Sequence, residues 1–226
     1  MTNNGWRARA LRMALVCGAL TGFAAQASAG YVLYNSRAAF LAAVGGATSS
    51  ENFNSVAADT SFGGSSLNVG LITLSSNAGI NPTFNNPEAL VDLSPFGPGA
   101  GGGIDGSALV NAQGLDRGEF IDMSVADAIN AFGFDYQNYD SGGDALSVLI
   151  GADVVTSLAG TGFLGIISDA SFNSLRFLSS SGDDAPNGTF TNLDNVVFGN
   201  TVPEPGTLAL AGLALAAAGL GRRRRA

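Results

Sequence analysis

All ten cationic side chains of this 226-residue chain are arginine, His is absent, and the single cysteine, Cys17, lies in an apolar stretch near the start. Imidazole and amine bases, imidazole metal ligands and Schiff-base nucleophiles are therefore missing, and a Ser-His-Asp or Cys-His system is excluded. Carboxylates, hydroxyls and guanidinium groups remain. Two carboxylates at a set separation suffice for a glycosidase, but no pair stands out by its spacing. The same oxygens suit calcium, which takes about six to eight of them. Asp135, Asn138, Asp140 and Asp144, set around Ser141-Gly142-Gly143, have the composition of an oxygen-ligand loop without the spacing of a helical calcium loop. They fit a solvated hairpin turn equally. Platforms for stacking on a sugar ring are confined to Tyr136, Tyr139 and Phe96, and Tyr136 shares its alternation with Phe132 and Phe134, which suits a core.

The charge is strongly segregated. Arg7, Arg9, Arg12 and Arg222 to Arg225 occupy the two ends, whereas between Gly30 and Thr201 only Arg37, Arg117 and Arg176 stand against 17 Asp and Glu, a net of −14. Such a surface repels phosphate backbones and anionic lipid, which argues against nucleic acid as a partner and favours divalent cations. With Cys17 outside this region, the domain has no disulfide and no thiol chemistry.

The elements that must position these groups are mostly strands. The chain has 32 Gly and 12% charged residues, and from Glu51 onward its short apolar runs are punctuated by Gly, Asn, Asp, Ser or Pro. Expected strands are Glu51–Asn54, Gly70–Ser75, Ala108–Asn111, Phe120–Ser124, Ala131–Tyr136, Ala145–Ile150, Asp153–Leu158, Gly162–Ile167, Phe172–Leu178 and Phe190–Phe198. Alternation puts Phe132, Phe134 and Tyr136 on one buried face, and Leu146, Val148 and Ile150 on another. Gly151-Ala152 predicts a tight hairpin, and Pro95 to Gly106 a glycine-rich surface loop rather than a phosphate cradle, since no Lys follows. One helix is expected, capped by Ser36, stopped by Gly45-Gly46 and presenting Phe40, Leu41 and Val44 on one face. Many strands without interleaved helices imply a β-sandwich.

The two ends read as addresses. Arg7, Arg9 and Arg12 precede the apolar run Met13 to Ala25, and Ala27-Ser28-Ala29 follows it, the three-part pattern of a secretory signal peptide that signal peptidase would cut after Ala29. The run has about 13 residues, short of the roughly 20 of a spanning helix. The arginines lack an adjacent pair, which points to the general secretion route. Leu15 and Val16 do not supply the small residue that a lipoprotein site at Cys17 wants. At the other end Thr207 to Gly221 is uncharged Leu, Ala and Gly, a helix of about 22 Å at 1.5 Å per residue. Snorkelling Arg side chains must help it reach across a roughly 30 Å hydrocarbon layer. Arg222, Arg223, Arg224 and Arg225 orient it with the domain outside. Pro203 and Pro205 break regular structure just before it and leave an extended, accessible segment.

The order Val202-Pro203-Glu204-Pro205-Gly206, apolar helix, terminal Arg cluster resembles the PEP-CTERM sorting signal of Gram-negative bacteria. The resemblance implies handling by an exosortase, a transpeptidase-like membrane enzyme that cuts near Pro-Glu-Pro. It also implies transient insertion in the inner membrane, a final place at the cell surface or in the extracellular matrix, and an association with exopolysaccharide and biofilm. The series Ala131-Phe132-Gly133-Phe134-Asp135, Phe172-Asn173-Ser174-Leu175-Arg176-Phe177 and Leu193-Asp194-Asn195-Val196-Val197-Phe198-Gly199 looks like the jelly-roll ectodomain common in such proteins, a layout similar to carbohydrate-binding sandwiches. That resemblance implies a structural calcium bridging first and last strands, on Glu51 and Asp194. The expected organisation is a signal peptide over 1–29, an all-β, jelly-roll-like sandwich with one short N-terminal helix over 30–200, and a sorting tail over 201–226 with a single transmembrane helix. The function expected is a non-enzymatic exported surface or matrix protein. A carbohydrate-binding module with a defined glycan is the alternative, and a carboxylate-dependent glycoside hydrolase the third.

Overall fold

A computed structural model describes residues 30–57, 59–81, 85–92, 104–105, 108–138, 146–180 and 189–202. The signal-peptide residues Ala27 and Ala29 lie outside the described residues. So do Pro203, Glu204, Pro205, the apolar stretch and Arg222 to Arg225, and with them Phe96, Tyr139, Asp140, Asp144 and most of the Pro95 to Gly106 loop. Among the described residues no helix is long and apolar enough to cross a membrane.

Fourteen strands and one helix make up the described chain. They run β1 (Tyr31–Tyr34), α1 (Arg37–Val44), β2 (Thr48–Glu51), β3 (Thr60–Ser61), β4 (Ser66–Val69), β5 (Ile72–Ser76), β6 (Ile80–Asn81) and β7 (Asn86–Pro87). There follow β8 (Ala89–Asp92), β9 (Leu109–Leu115), β10 (Phe120–Asn138), β11 (Leu146–Ile150), β12 (Asp153–Leu158), β13 (Thr161–Ser179) and β14 (Thr189–Gly199). The expectation of an all-β chain with one short helix is met. All strands except the β6–β7 pair join one sheet, in the order β12-β11-β13-β10-β14-β9-β8-β3, with β1 on β13, β2 on β14, and β4 on β5, which itself pairs β10.

Two strands are longer than the sequence pattern suggests. Phe120–Ser124 and Ala131–Tyr136 fuse into β10, and Gly162–Ile167 and Phe172–Leu178 fuse into β13. The residues between them, Ala126-Asp127-Ala128 and Asp169-Ala170-Ser171, are exposed and small or acidic, so they look like turns. They form the bend instead, where the β10–β13 register shifts twice between Ser124 and Ala131 and the ladder then resumes. The first half of β10 pairs β5 and the second half β14. The sheet thus has two arms sharing β10 and β13.

These arms fold face to face. Ile121 pairs with Phe177, and Phe134 with Leu164, so in a flat sheet Phe134 and Phe177 would stand some 43 Å apart at about 3.3 Å per residue. Their ring centroids are 5.1 Å apart, edge on. A single core joins Leu74, Met123, Leu146, Val148 and Phe177 of one arm to Val110, Phe132, Phe134, Ile166 and Leu193 of the other. Phe132 and Phe134 take the core positions their alternation predicts, as do Leu146 and Val148, while Tyr136 and Ile150 pack against the core from its rim. Gly151 (φ 61) turns the β11–β12 hairpin between the paired Ile150 and Asp153.

Helix α1 is placed on the outer face of the second arm. Ser36 Oγ accepts from the Ala39 N–H at 3.5 Å, and Gly45 ends the helix in the left-handed region, its N–H returning to Leu41 O. Phe40 and Val44 are buried, whereas Leu41 is 39% exposed. The shared face expected of all three is thus two residues wide, because Leu41 sits about 100° around the helix from Phe40. Phe40 rests on the cross-strand pair Gly133 and Gly165. A Cβ at Gly165 would lie 2.5 Å from the Phe40 ring, so the helix can approach only where these strands lack side chains. Phe40, Val44, Ala131, Phe163 and Val197 form a second, small core beneath it.

Candidate functional site

The strand register lays out the outer face of the second arm row by row. The helix seat, Gly165-Gly133-Val197, is the first row; Phe163-Asp135-Asp194 is the second; Thr161-Gln137-Asn192-Asn111-Leu90 is the third. Since Tyr136, Leu193, Val110 and Ala112 belong to the inner core, strand alternation turns Gln137, Asn192 and Asn111 outward.

In the second row Arg37, the first residue of α1, holds three partners. Its guanidinium lies 2.9 Å from Asp135 Oδ2, donates to Asn195 O at 2.7 Å and stands 4.7 Å over the Phe163 ring. The Asn195 carbonyl is presented by a bulge: Asn195 has φ 50, and β14 carries one extra residue against β10 between the Asp135–Asp194 and Gly133–Val197 pairs. An open cleft of about 400 Å³ lies here, lined by Arg37, Ser50, Glu51, Asn52, Asp135 and Asn195.

Glu51 and Asp194, the two acids expected to share a calcium, sit on neighbouring strands, Glu51 opposite Val196 and Asp194 opposite Asp135. Glu51 Oε1 accepts from the N–H groups of Asn52 (3.1 Å) and Phe53 (2.8 Å), which supports the left-handed turn at buried Phe53 (φ 59). Its other oxygen lies against Gly70, where a Cβ would come within 2.0 Å. Asp194 is fully buried and its Oδ1 accepts from the Asn195 N–H at 2.6 Å. The remaining members of the second acidic group that the structure describes part company: Asp135 pairs with Arg37, while Asn138 Nδ2 donates to Leu158 O at 2.9 Å.

The third row is made of amides. Asn192 Nδ2 donates to Gln137 Oε1 at 3.4 Å. Asn111 is fully buried, and neither its Nδ2 nor its Oδ1 has a partner among the described residues. A buried amide left this way costs about 1–3 kcal/mol unless water or a ligand hydroxyl meets it. Tyr136, the described candidate for a sugar platform, packs against the core instead and donates its hydroxyl to Ala159 O at 3.4 Å.

A further carboxylate group lies where the β9–β10 turn meets the segment before β8. Glu88, Asp116 and Glu119 each offer an oxygen within 4.8 Å of the others. Glu88 is 2% exposed, its Oε2 accepts from the Gly79 N–H at 3.1 Å, and Glu119 Oε2 accepts from the Asp116 N–H at 2.8 Å. Burial pushes the Glu88 carboxyl up to about 7, helped by the charge of Glu119 and a hydrogen bond to it; the Gly79 amide pulls the other way and Asp116 adds a smaller push. Sequence reading missed this group. Asp116-Arg117-Gly118-Glu119 shows a turn but gives no hint of Glu88, 28 positions earlier. For Asn111 there was a signal, a polar residue set between the apolar run Ala108-Leu109-Val110 and Ala112.

The last described residues, Asn200 to Val202, follow β14 in the chain without a further element. Residues 201–225 match the family model of the PEP-CTERM protein-sorting motif. No curated protein matches the chain. The matched segment covers Val202, Pro203, Glu204, Pro205 and Arg222 to Arg225, and the motif implies export and sorting of the kind an exosortase carries out.

Proposed function

We propose that the chain is made as a signal-peptide-bearing precursor, is processed at its tail by an exosortase in a Gram-negative inner membrane, and leaves its jelly-roll-like body as a non-enzymatic surface or matrix protein associated with exopolysaccharide. The observation that carries this reading is the sorting motif over residues 201–225, joined without a spacer to the end of β14. The test is expression of the full chain in an exosortase-bearing host, with the C-terminus followed by mass spectrometry and the protein followed through cell, membrane and polysaccharide fractions. Loss of the tail, and its retention when Glu204 and Pro205 are both replaced by Ala, supports the reading. Tail removal unaffected by those replacements sinks it. Release of the mature protein from the polysaccharide fraction by digesting the glycan supports the matrix role.

A carbohydrate-binding module is the second reading, favoured by the amide row. Asn111, Asn192 and Gln137 line up on one sheet face, the first two buried and Gln137 partly so, and amides carry both the donors and the acceptors that hydroxyl-rich ligands need. Saturable binding on a glycan array, lost in Asn111→Leu, supports it; an empty array removes it. A hydrolase finds less support: it needs a pair of carboxyl groups flanking an accessible sugar, and Glu88, the acid with the raised pKa, is 2% exposed. A structural calcium on Glu51 and Asp194 belongs to the same proposal. Calorimetric titration with calcium that gives stoichiometric heat and a raised melting temperature supports it, and no heat with no rise removes it.

A further inference from the structure

The domain does not let go of the chain where its last strand ends. Beyond Gly199, Asn130 of β10 holds Thr201 from two sides: its Oδ1 accepts from the Thr201 N–H at 2.8 Å and its Nδ2 donates to Thr201 Oγ1 at 2.9 Å. Asn200 Nδ2 donates to Ala128 O at 3.3 Å. Val202 N–H donates at 3.1 Å to Val44 O, the carbonyl of the last residue of α1, which the helix itself leaves without a partner. The fit is close, because a Cβ at Gly46 would lie 3.0 Å from both Asn200 O and Val202 Cγ2. Thr201 is partly buried, whereas the side chains of Asn200 and Val202, the latter 57% exposed, face outward.

We propose that this clamp confines processing of the tail to bonds on the C-terminal side of Val202, and that Asn130 is the positioning residue that sets the limit. The inference rests on the sorting reading for the identity of the processing enzyme, but the clamp itself rests on hydrogen bonds within the body. An enzyme that cuts a peptide takes it as an extended strand and needs its backbone N–H and C=O groups free. The N–H groups of Thr201 and Val202 are taken by the domain. The bond cut is therefore a peptide C–N bond beyond Val202. Its nitrogen leaves with the tail as an amine, gaining a proton, and its acyl carbon passes to water or to an acceptor amine. The mature protein keeps Thr201 and Val202 as a short C-terminal clip closing the end of α1.

Two measurements test this and separate it from the sorting reading. Digestion of the purified full chain with a broad-specificity protease requires no exosortase. The wild type is expected to be trimmed to Val202 or beyond, and Asn130→Ala to be cut within residues 199–202 about tenfold faster, the effect of freeing two hydrogen bonds on a local opening. Asn130→Asp, which keeps an acceptor for the Thr201 N–H, is expected to restore the wild-type limit. If Asn130→Ala lowers overall stability, Thr201→Ala removes only the hydroxyl contact and is expected to give an intermediate rate. Trimming of the wild type into residues 199–201 at the rate of Asn130→Ala overturns the clamp. In the host, a mature C-terminus before Val202 also overturns it, and a tail that is never removed overturns the sorting reading while the protease result still decides the clamp.

Discussion

Asp135 and Glu88 are acids of one very acidic domain, and they handle their charge in opposite ways. Asp135 meets the Arg37 guanidinium at 2.9 Å, and that arginine is also bound by a carbonyl and laid over an aromatic ring. Glu88 meets other carboxylates, Glu119 and Asp116, and keeps its proton to about 7. The difference lies in what each place was built around. The first depends on a helix delivered by two glycines to a chosen spot on the sheet. The second is a by-product of a tight turn, Asp116 to Glu119, closing onto a segment from elsewhere, and its stability must depend on pH. With only three Arg between Gly30 and Thr201, compensation is scarce, and where it is used marks where geometry matters.

The largest way to break the contrast is to remove the seat beneath Arg37. In Gly165→Val the new side chain must occupy the space of the Phe40 ring, since even a Cβ would lie 2.5 Å from it. Expelling Phe40 lifts α1 and carries Arg37 away from Asp135. Overpacking together with lost burial costs about 3 kcal/mol. Thermal melting should show a large drop, and the variant should lose the sensitivity to Arg37 replacement that the wild type shows. Unchanged melting would mean that the helix does not depend on the glycine pair.

A smaller effect comes from the charge alone. Arg37→Ala leaves Asp135 facing Asp194 across the strands without its cation, and loses the Asn195 carbonyl bond and the Phe163 contact. Because both partners are partly exposed, 33% and 23%, the loss is about 2 kcal/mol rather than the larger cost of a fully buried pair. Arg37→Lys should recover less than half, since an ammonium cannot span the carboxylate and the carbonyl in one plane. Chemical denaturation at low and high salt checks this. A stability change that salt removes entirely would reduce the site to surface electrostatics.

Much of the scaffold was legible from local pattern. The caps at Ser36 and Gly45, the hairpin at Gly151 and the inward run of Phe132 and Phe134 all follow from residue type and period. The tail was legible because its signal is a linear order of residue types. The fusion of four expected strands into two was not, because Asp127 and Asp169 look like turn residues, and only pairing on both sides keeps such a bend inside a strand. The face-to-face folding of the arms hides for the same reason: Phe134 and Phe177 meet through topology, which no period encodes. Within the candidate sites, Asp135 was named as a loop ligand in the sequence, yet its partner is an arginine nearly a hundred positions earlier. Glu88 and Glu119 are joined only by tertiary structure, and Asn130 resembles any polar residue at a strand bend.

The smallest effect sharpens the comparison through pH. Glu88 is raised, so the folded state holds its proton more tightly than the unfolded chain, whose carboxyl titrates near 4.5. Its contribution is fully present below that value and is lost as pH rises to about 7, because folding must then bring an anion beside Glu119. Solvent screening at partly exposed Asp116 and Glu119 keeps the loss to about 1–2 kcal/mol. Glu88→Gln should remove this slope and leave the variant more stable than wild type at pH 8 by that amount, since the amide oxygen can still accept from Gly79. At pH 4 the two proteins should be alike. Arg37→Ala, by contrast, should keep the Glu88 slope intact, because the two acids lie in separate groups. Melting curves of the three proteins between pH 4 and pH 8 decide it: a slope unchanged by Glu88→Gln would place the titrating proton on another carboxylate and dissolve the contrast with Asp135.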